Sequence, residues 1–202
     1  MSIADKLTEE IIKRLFIQVE ASGRHVHLCR ADVDYLFGEN YQLTPVKPLS
    51  QPGQFACKER VKLIGEKGSI DNVVVLGPER PETQVEISLT DARMLGVKSP
   101  VRLSGDIKNT PGIGISFGGR TIHKNQGVIV AKRHIHMSEE DAKRFNISDG
   151  EKVKMKVFGE RSVTFNETVV RVSRNFATFA HIDYDEANAC GFSGGMLGLL
   201  IK

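Results

Sequence analysis

Four of the six histidines of this 202-residue chain stand in two matching triplets, His25-Val26-His27 and His134-Ile135-His136. Side chains alternate along a strand with period two, so HxH on a strand puts both imidazoles on one face. That presents two nitrogens to one metal, or to two neighbouring metals, and imidazole suits zinc, copper, iron and nickel. One such pair is a weak signal, because histidine also alternates on exposed strand faces. Two pairs in matching surroundings are stronger. Arg24-His25-Val26-His27-Leu28 with Asp32 following matches Arg133-His134-Ile135-His136-Met137 with Asp141 following, at a constant separation. A weaker echo joins Thr90-Asp91-Ala92 with Gly96-Val97 to Glu140-Asp141-Ala142 with Asn146-Ile147. This internal repeat predicts two related small β domains, with a boundary in the Val128 to Arg133 strand.

Further ligands have to come from elsewhere. His181 lies at a predicted strand end, with Asp183 and Asp185 nearby. Glu86, in Gln84-Val85-Glu86-Ile87, is either on a solvent face or a deliberately placed polar group; the pattern does not choose. His123 sits in the loop-like segment TIHKNQG and reads as a surface residue. Arg80, in Gly77-Pro78-Glu79-Arg80-Pro81, carries the planar guanidinium expected of a phosphate reader, although its own context also fits an ordinary loop arginine. Arg24 and Arg133 precede the two histidine pairs, and one of them reads as structural. No cysteine has a nearby histidine, and Cys190 reads as a small packed residue rather than a nucleophile. There is no Walker A motif and no GxGxxG after a strand, so kinase and dehydrogenase readings are poor.

The elements that must position these residues are mostly short strands. Residues 2–16 read as an amphipathic helix, with Ile3, Leu7, Ile11 and Leu15 every four residues and Ser2 as its N-cap. A strand over 17–21 and a helix near 31–37 flank the first histidine pair. The stretch 44–55, with Pro45, Pro48 and Pro52, reads as an ordered loop. From Arg60 onward come alternating segments and turn signals: RVKLIG, DNVVVLG, a strand over 84–89 and a capped helix over 90–95. Residues 101–103 and 128–136 are further strands, separated by a glycine-rich stretch. Ser138 caps a helix, and EKVKMKVFG, RSVTFNETVVRVS and ATFAHIDYD give three more β runs. Many short strands with few helices predict a mainly β fold of barrels or sandwiches.

Composition excludes several classes. With 40% hydrophobic and 26% charged residues the chain can bury a core and is not disordered as a whole. A net charge of +3, with scattered bases, makes no phosphate-tracking stripe, so no nucleic-acid partner is expected. No apolar run reaches the roughly 18 residues of a transmembrane helix, so no membrane partner is expected either. The N-terminus lacks a secretory h-region. Three widely spaced cysteines fit a reduced, cytoplasmic protein.

SGRHVHL at 22–28, LSQPGQFACKERV at 49–61, VLGPERPETQVEIS at 75–88, GVIVAKRHIHM at 127–137 and HIDYDEANA at 181–189 resemble the PduL-type phosphate acyltransferases. The similarity runs from about Gln18 to Cys190. The resemblance implies two β-barrel domains with the active site between them. Residues 1–22 contribute a helix and a strand that joins the second barrel, 23–132 form the first barrel and 133–202 the second. It implies two zinc ions, one held by His25, His27 and Glu86 with an open position for the coenzyme A sulfur, the other by His134, His136 and His181. Arg80 would contact phosphate. The implied activity is reversible transfer of a short acyl group, propanoyl or acetyl, between coenzyme A and inorganic phosphate. In the family a short N-terminal extension, where present, targets the enzyme to a bacterial microcompartment. Here the helix runs almost directly into the first strand, and a helix packed on the barrel is an equal alternative. A shell component or a second copy of the chain are the expected protein partners.

These residues support direct attack of phosphate on the thioester, with no acyl-enzyme and with metal as Lewis acid. Two rival readings stand beside it: a binuclear zinc hydrolase acting on a thioester or phosphoester, and a non-catalytic metal-binding microcompartment component.

Overall fold

The computed structural model describes residues 2–202. The chain divides into two compact units. One is Gly23–Lys132; the other joins the residues up to Ser22 with Arg133–Lys202.

The second of these units is a closed six-stranded barrel. Its strands run Phe16–Ala21, Phe179–Ile182, His134–Met137, Val163–Val172, Lys152–Val157 and Leu197–Ile201, and the last closes back on the first. Phe16–Ala21 lies parallel to Phe179–Ile182 and antiparallel to Leu197–Ile201, so the N-terminal strand closes the ring. Closure removes the exposed edges that an open sheet must protect. The segment Lys152-Val153-Lys154-Met155-Lys156-Val157 shows how the sequence specifies this. Alternation sends Val153, Met155 and Val157 into the core and the three lysines to water. Ile135 and Met137 fill the same core from the second histidine strand, which leaves His134 and His136 on its opposite face.

Gly23–Lys132 is built on a nine-stranded sheet in the order Val101–Arg102, Val128–Ala131, Gln84–Ile87, His25–His27, Ser69–Gly77, Phe55–Ile64, Ile113–Phe117, Arg120–Lys124, with Pro45–Pro48 paired on Phe55–Ile64. Its core gathers Val26, Leu28, Val73, Val75, Val85 and Ile87 under the helix Arg30–Phe37, which contributes Val33 and Leu36.

Four helices each start two or three residues after the end of a strand that carries candidate ligands: Arg30–Phe37, Leu89–Leu95, Glu139–Phe145 and Tyr184–Cys190. Three of them are capped by side chains at that junction. The hydroxyls of Ser88 and Ser138 accept from the N–H groups of Asp91 and Asp141, and the Asp183 carboxylate accepts from the N–H of Glu186. Such caps are worth about 1 kcal/mol each and stop the strand at a defined residue.

The structure departs from the sequence reading in several places. The stretch 44–55 is not all loop. Pro45–Pro48 is an exposed strand at the sheet's margin, where a proline without an N–H is tolerated. Residues 128–136 form two strands, Val128–Ala131 and His134–Met137, broken at Lys132–Arg133 where the chain leaves one unit for the other. The glycine-rich stretch is a hairpin, Ile113–Phe117 with Arg120–Lys124. Its turn is Gly118-Gly119, both at positive φ (56° and 82°), which glycine adopts without steric cost. His123 therefore sits on a strand opposite Gly114 rather than in a loop, and it is exposed. The helix Tyr184–Cys190 and the strand Leu197–Ile201 were not anticipated. The N-terminal helix spans Ile3–Leu15 with a Ser2/Asp5 capping box, and its apolar side chains at Ile3, Leu7, Ile11 and Leu15 are exposed rather than packed on the barrel.

Candidate metal centres

His25, His27 and Glu86 come together because their strands pair antiparallel with His25 directly opposite Glu86 and His27 opposite Gln84. Directly paired residues point to the same face of a sheet. One ligand atom from each of the three lies within 4.8 Å of the others. All three are buried: His25 is 5%, His27 2% and Glu86 6% exposed. The Nδ1 of His25 donates to the Gly23 carbonyl at 2.8 Å, and its Nε2 faces Oε2 of Glu86 at 3.5 Å. A ligand histidine that gives its second N–H to a backbone carbonyl has its tautomer and ring orientation fixed.

The electrostatics of this group follow from burial and proximity. Burial alone would lower His25 and raise Glu86. Their mutual attraction outweighs it, leaving the His25 imidazole above its usual range and the Glu86 carboxyl well below its own. His27 is pushed down to about 2 by burial, by the His25 charge and by the Arg80 guanidinium, so it stays neutral, the form that ligates metal.

The second group repeats this plan in the barrel. His134 is the direct antiparallel partner of His181, with His136 two residues along. The rings of His134 and His136 are 4.7 Å apart, and those of His134 and His181 5.1 Å, centre to centre. Their ligand atoms also lie within 4.8 Å of one another. The His181 Nδ1 is 3.8 Å from the Glu20 carboxylate. His136 packs on the Phe176 ring at 4.4 Å.

The donor sets, two imidazoles with a carboxylate and three imidazoles, fit zinc. The Nδ1 of His27 is an independent indication. It is buried without a hydrogen-bond partner among the described residues. Buried polar atoms are almost always satisfied, so such an orphan calls for an explanation, and a bound ion is one.

Residues 18–193 match the phosphate propanoyltransferase family. The chain is 57% identical to a phosphate propanoyltransferase of Clostridioides difficile, over 100% of this chain and 98% of that one. It is 52% identical to that of Enterococcus faecalis, over 98% and 97% of the two chains, and 52% identical to that of Thermotoga maritima, over 92% and 89%. The chain belongs to the phosphate propanoyltransferase family. It is an acyltransferase. Among the described residues no helix is long and apolar enough to cross a membrane.

In this family member the six ligand candidates named from the sequence fall into their two groups, and His123 lies in neither. Arg80 reaches the first group indirectly: its Nη1 donates to the Ser104 hydroxyl at 3.0 Å, and that hydroxyl donates to Glu86 at 2.8 Å. Its backbone N–H donates to the Leu28 carbonyl at 3.0 Å, which ties the arginine loop to the end of the first histidine strand. Arg24 and Arg133 are both structural, each bound to an acidic residue in the first turn of a helix. Arg24 pairs with Asp91 at 2.8 Å and Arg133 with Glu186 at 2.6 Å. The cysteines are free thiols, and burial pushes the Cys190 thiol upward, away from nucleophilic use.

Sequence reasoning missed the residues that brace the ligand strands. Thr83 stands three residues before Glu86, and Thr178 three before His181. The Thr83 hydroxyl accepts from the Cys29 N–H at 2.9 Å and donates to Asp32. The Thr178 hydroxyl accepts from the Ser138 N–H at 3.0 Å and donates to Asp141. Each threonine thus fastens one ligand strand to the helix start beyond the other. The shared spacing was the signal that could have found them.

Asp32 also accepts from the Lys124 ammonium at 2.8 Å. Burial would raise its carboxyl, but the hydrogen bonds from Lys124 and Thr83 outweigh that and hold it below the usual aspartate range. A lowered folded-state value stabilises the fold above the unfolded value of about 3.9 and is lost as pH falls below it. Asp32→Asn is expected to cost about 1–3 kcal/mol in urea unfolding at pH 7. Its gap from the parent should narrow by pH 3. A gap independent of pH would assign the loss to packing.

Proposed function

We propose that this enzyme transfers a short acyl group, propanoyl or acetyl, between coenzyme A and inorganic phosphate at two zinc sites, held by His25, His27 and Glu86 and by His134, His136 and His181. The observation that carries this reading is that each group offers three ligands and no fourth among the described residues. Structural zinc sites close with four protein ligands, whereas catalytic ones keep a position open. The family membership and the activity by which its relatives are named support the same chemistry.

When bound, zinc supplies a soft acceptor for thiolate sulfur and a Lewis acid for a carbonyl or phosphate oxygen. The remaining tasks belong to the chain. Arg80 offers a planar, permanently charged fork for the phosphate dianion. Neutral His27 and ionised Glu86 are already in the protonation states that ligation requires. A phosphate oxygen attacks the thioester carbonyl, the carbon–oxygen bond forms, and the carbon–sulfur bond breaks with its electron pair leaving on sulfur. The products are acyl phosphate and coenzyme A thiolate. Both acyl compounds are activated, so the reaction runs in either direction. The exposed apolar stripe of the Ile3–Leu15 helix supports placement of the enzyme in a bacterial microcompartment.

The test is coenzyme A release from a series of acyl-CoAs, with and without phosphate, and with metal content measured on the same sample. Release that requires phosphate, on protein carrying two zinc ions per chain, is expected. Release at the same rate without phosphate would mark a hydrolase instead.

A further inference from the structure

The two oxygens of Glu86 have different surroundings. Oε2 faces the His25 imidazole at 3.5 Å. Oε1 accepts from the Gln84 amide at 2.5 Å and from the Ser104 hydroxyl at 2.8 Å. A serine hydroxyl has one hydrogen to give and two lone pairs to fill. At Ser104 all three are used, because the hydroxyl also accepts from Gln84 Nε2 at 2.9 Å and from Arg80 Nη1 at 3.0 Å. Those two partners can only donate, so the Ser104 hydrogen must point at Glu86. The Gln84 amide is oriented as firmly. The Gly105 N–H donates to its Oε1 at 2.7 Å, which turns its NH2 toward Glu86 and Ser104. The arrangement has one hydrogen-bonding solution, and it occupies Oε1 while leaving Oε2 on the histidine side.

We propose that Ser104 is a positioning residue, which presents Oε2 of Glu86 as a single-oxygen ligand and sets the Arg80 guanidinium at a fixed distance from it. The inference rests on the reading that Glu86 is a metal ligand. Partners that orient a ligating carboxylate raise metal affinity without touching the metal. Here the same hydroxyl orients the residue that reads phosphate. One side chain from the loop after Val101–Arg102 therefore serves two functions that lie six residues apart on another segment. Ser104→Ala removes the donor to Oε1 and strips an acceptor from both Gln84 and Arg80, freeing Glu86 to rotate.

The experiment is a zinc competition titration against a chromophoric chelator, run on metal-free parent, Ser104→Ala, Ser104→Thr and Glu86→Ala proteins, with phosphate and acyl-CoA KM values measured after reloading. Ser104→Ala is expected to weaken one of the two zinc sites about 10–100-fold and leave the other unchanged. Its KM for phosphate should rise more than its KM for acyl-CoA. Ser104→Thr keeps the hydroxyl and should restore both. A purely structural serine would shift the melting temperature of the metal-free protein without weakening zinc at one site. Unchanged zinc affinity in Ser104→Ala, alongside loss of one zinc in Glu86→Ala, would overturn the role of Ser104 and leave the metal reading intact. Retention of both zinc ions by Glu86→Ala would overturn the metal reading itself. If Ser104→Ala fails to fold, Ser104→Cys keeps the size with a weaker donor and gives the same titration readout.

Discussion

Replacing His134 with alanine is expected to leave one zinc ion per chain instead of two and to lower turnover about 10²–10⁴-fold, the range spanned by a few kcal/mol of transition-state stabilisation. The three rings of this group lie at similar distances, His134 4.7 Å from His136 and 5.1 Å from His181, and His136 5.0 Å from His181, centre to centre. Removing His134 leaves two imidazoles, too few for a stable zinc site. The loss should be specific. His134 lies outside the barrel core, whose packing rests on Ile135 and Met137, so the variant should still fold. Metal analysis and steady-state kinetics on one preparation decide it. Full activity with one zinc per chain would sink the two-metal assignment.

Arg80→Ala should raise the KM for phosphate by about two orders of magnitude, the scale of one lost charge-stabilising donor. The KM for acyl-CoA should change far less. A fixed fork of N–H groups matches a phosphate face in a way that a flexible ammonium does not, so Arg80→Lys should recover only part of the loss. An equal rise in both KM values would instead mark Arg80 as structural, acting through Ser104 and the Leu28 carbonyl on the shape of its loop.

The candidate site was legible to unequal degrees. The histidine pairs were plain because they depend on one local rule: alternation on a strand puts residues i and i+2 on one face. Glu86 was ambiguous for a related reason. A carboxylate between Val85 and Ile87 looks the same whether its face meets water or histidine, and only the antiparallel register, with His25 opposite Glu86, chose between them. The Ser138 cap and the Lys152–Val157 alternation were local as well, and both appear in the structure. The proline-rich 44–55 stretch misled because proline signals turns along the chain, whereas an edge strand is permitted by what it lacks across the sheet. His123 looked like a loop residue because glycines on both sides hid a hairpin whose turn is Gly118-Gly119.

By itself the sequence marked the two histidine pairs as metal candidates through their two-residue spacing, and Ser138 as the start of a helix. It carried a mainly β chain with a real core and no transmembrane run, since burial pattern and turn chemistry are written residue by residue. Only the tertiary structure decided how those groups are completed. Glu86 lies 61 residues from His25, and His181 lies 47 from His134, so each pairing depends on strand order and register. The same holds for the bracing residues. Nothing in the local sequence of Ser104 marks it; its meaning comes from three partners 18 to 24 residues away, brought to one hydroxyl by the sheet. Hydrogen-bond direction is a property of atoms in contact, and contacts between distant segments exist only once the chain has folded.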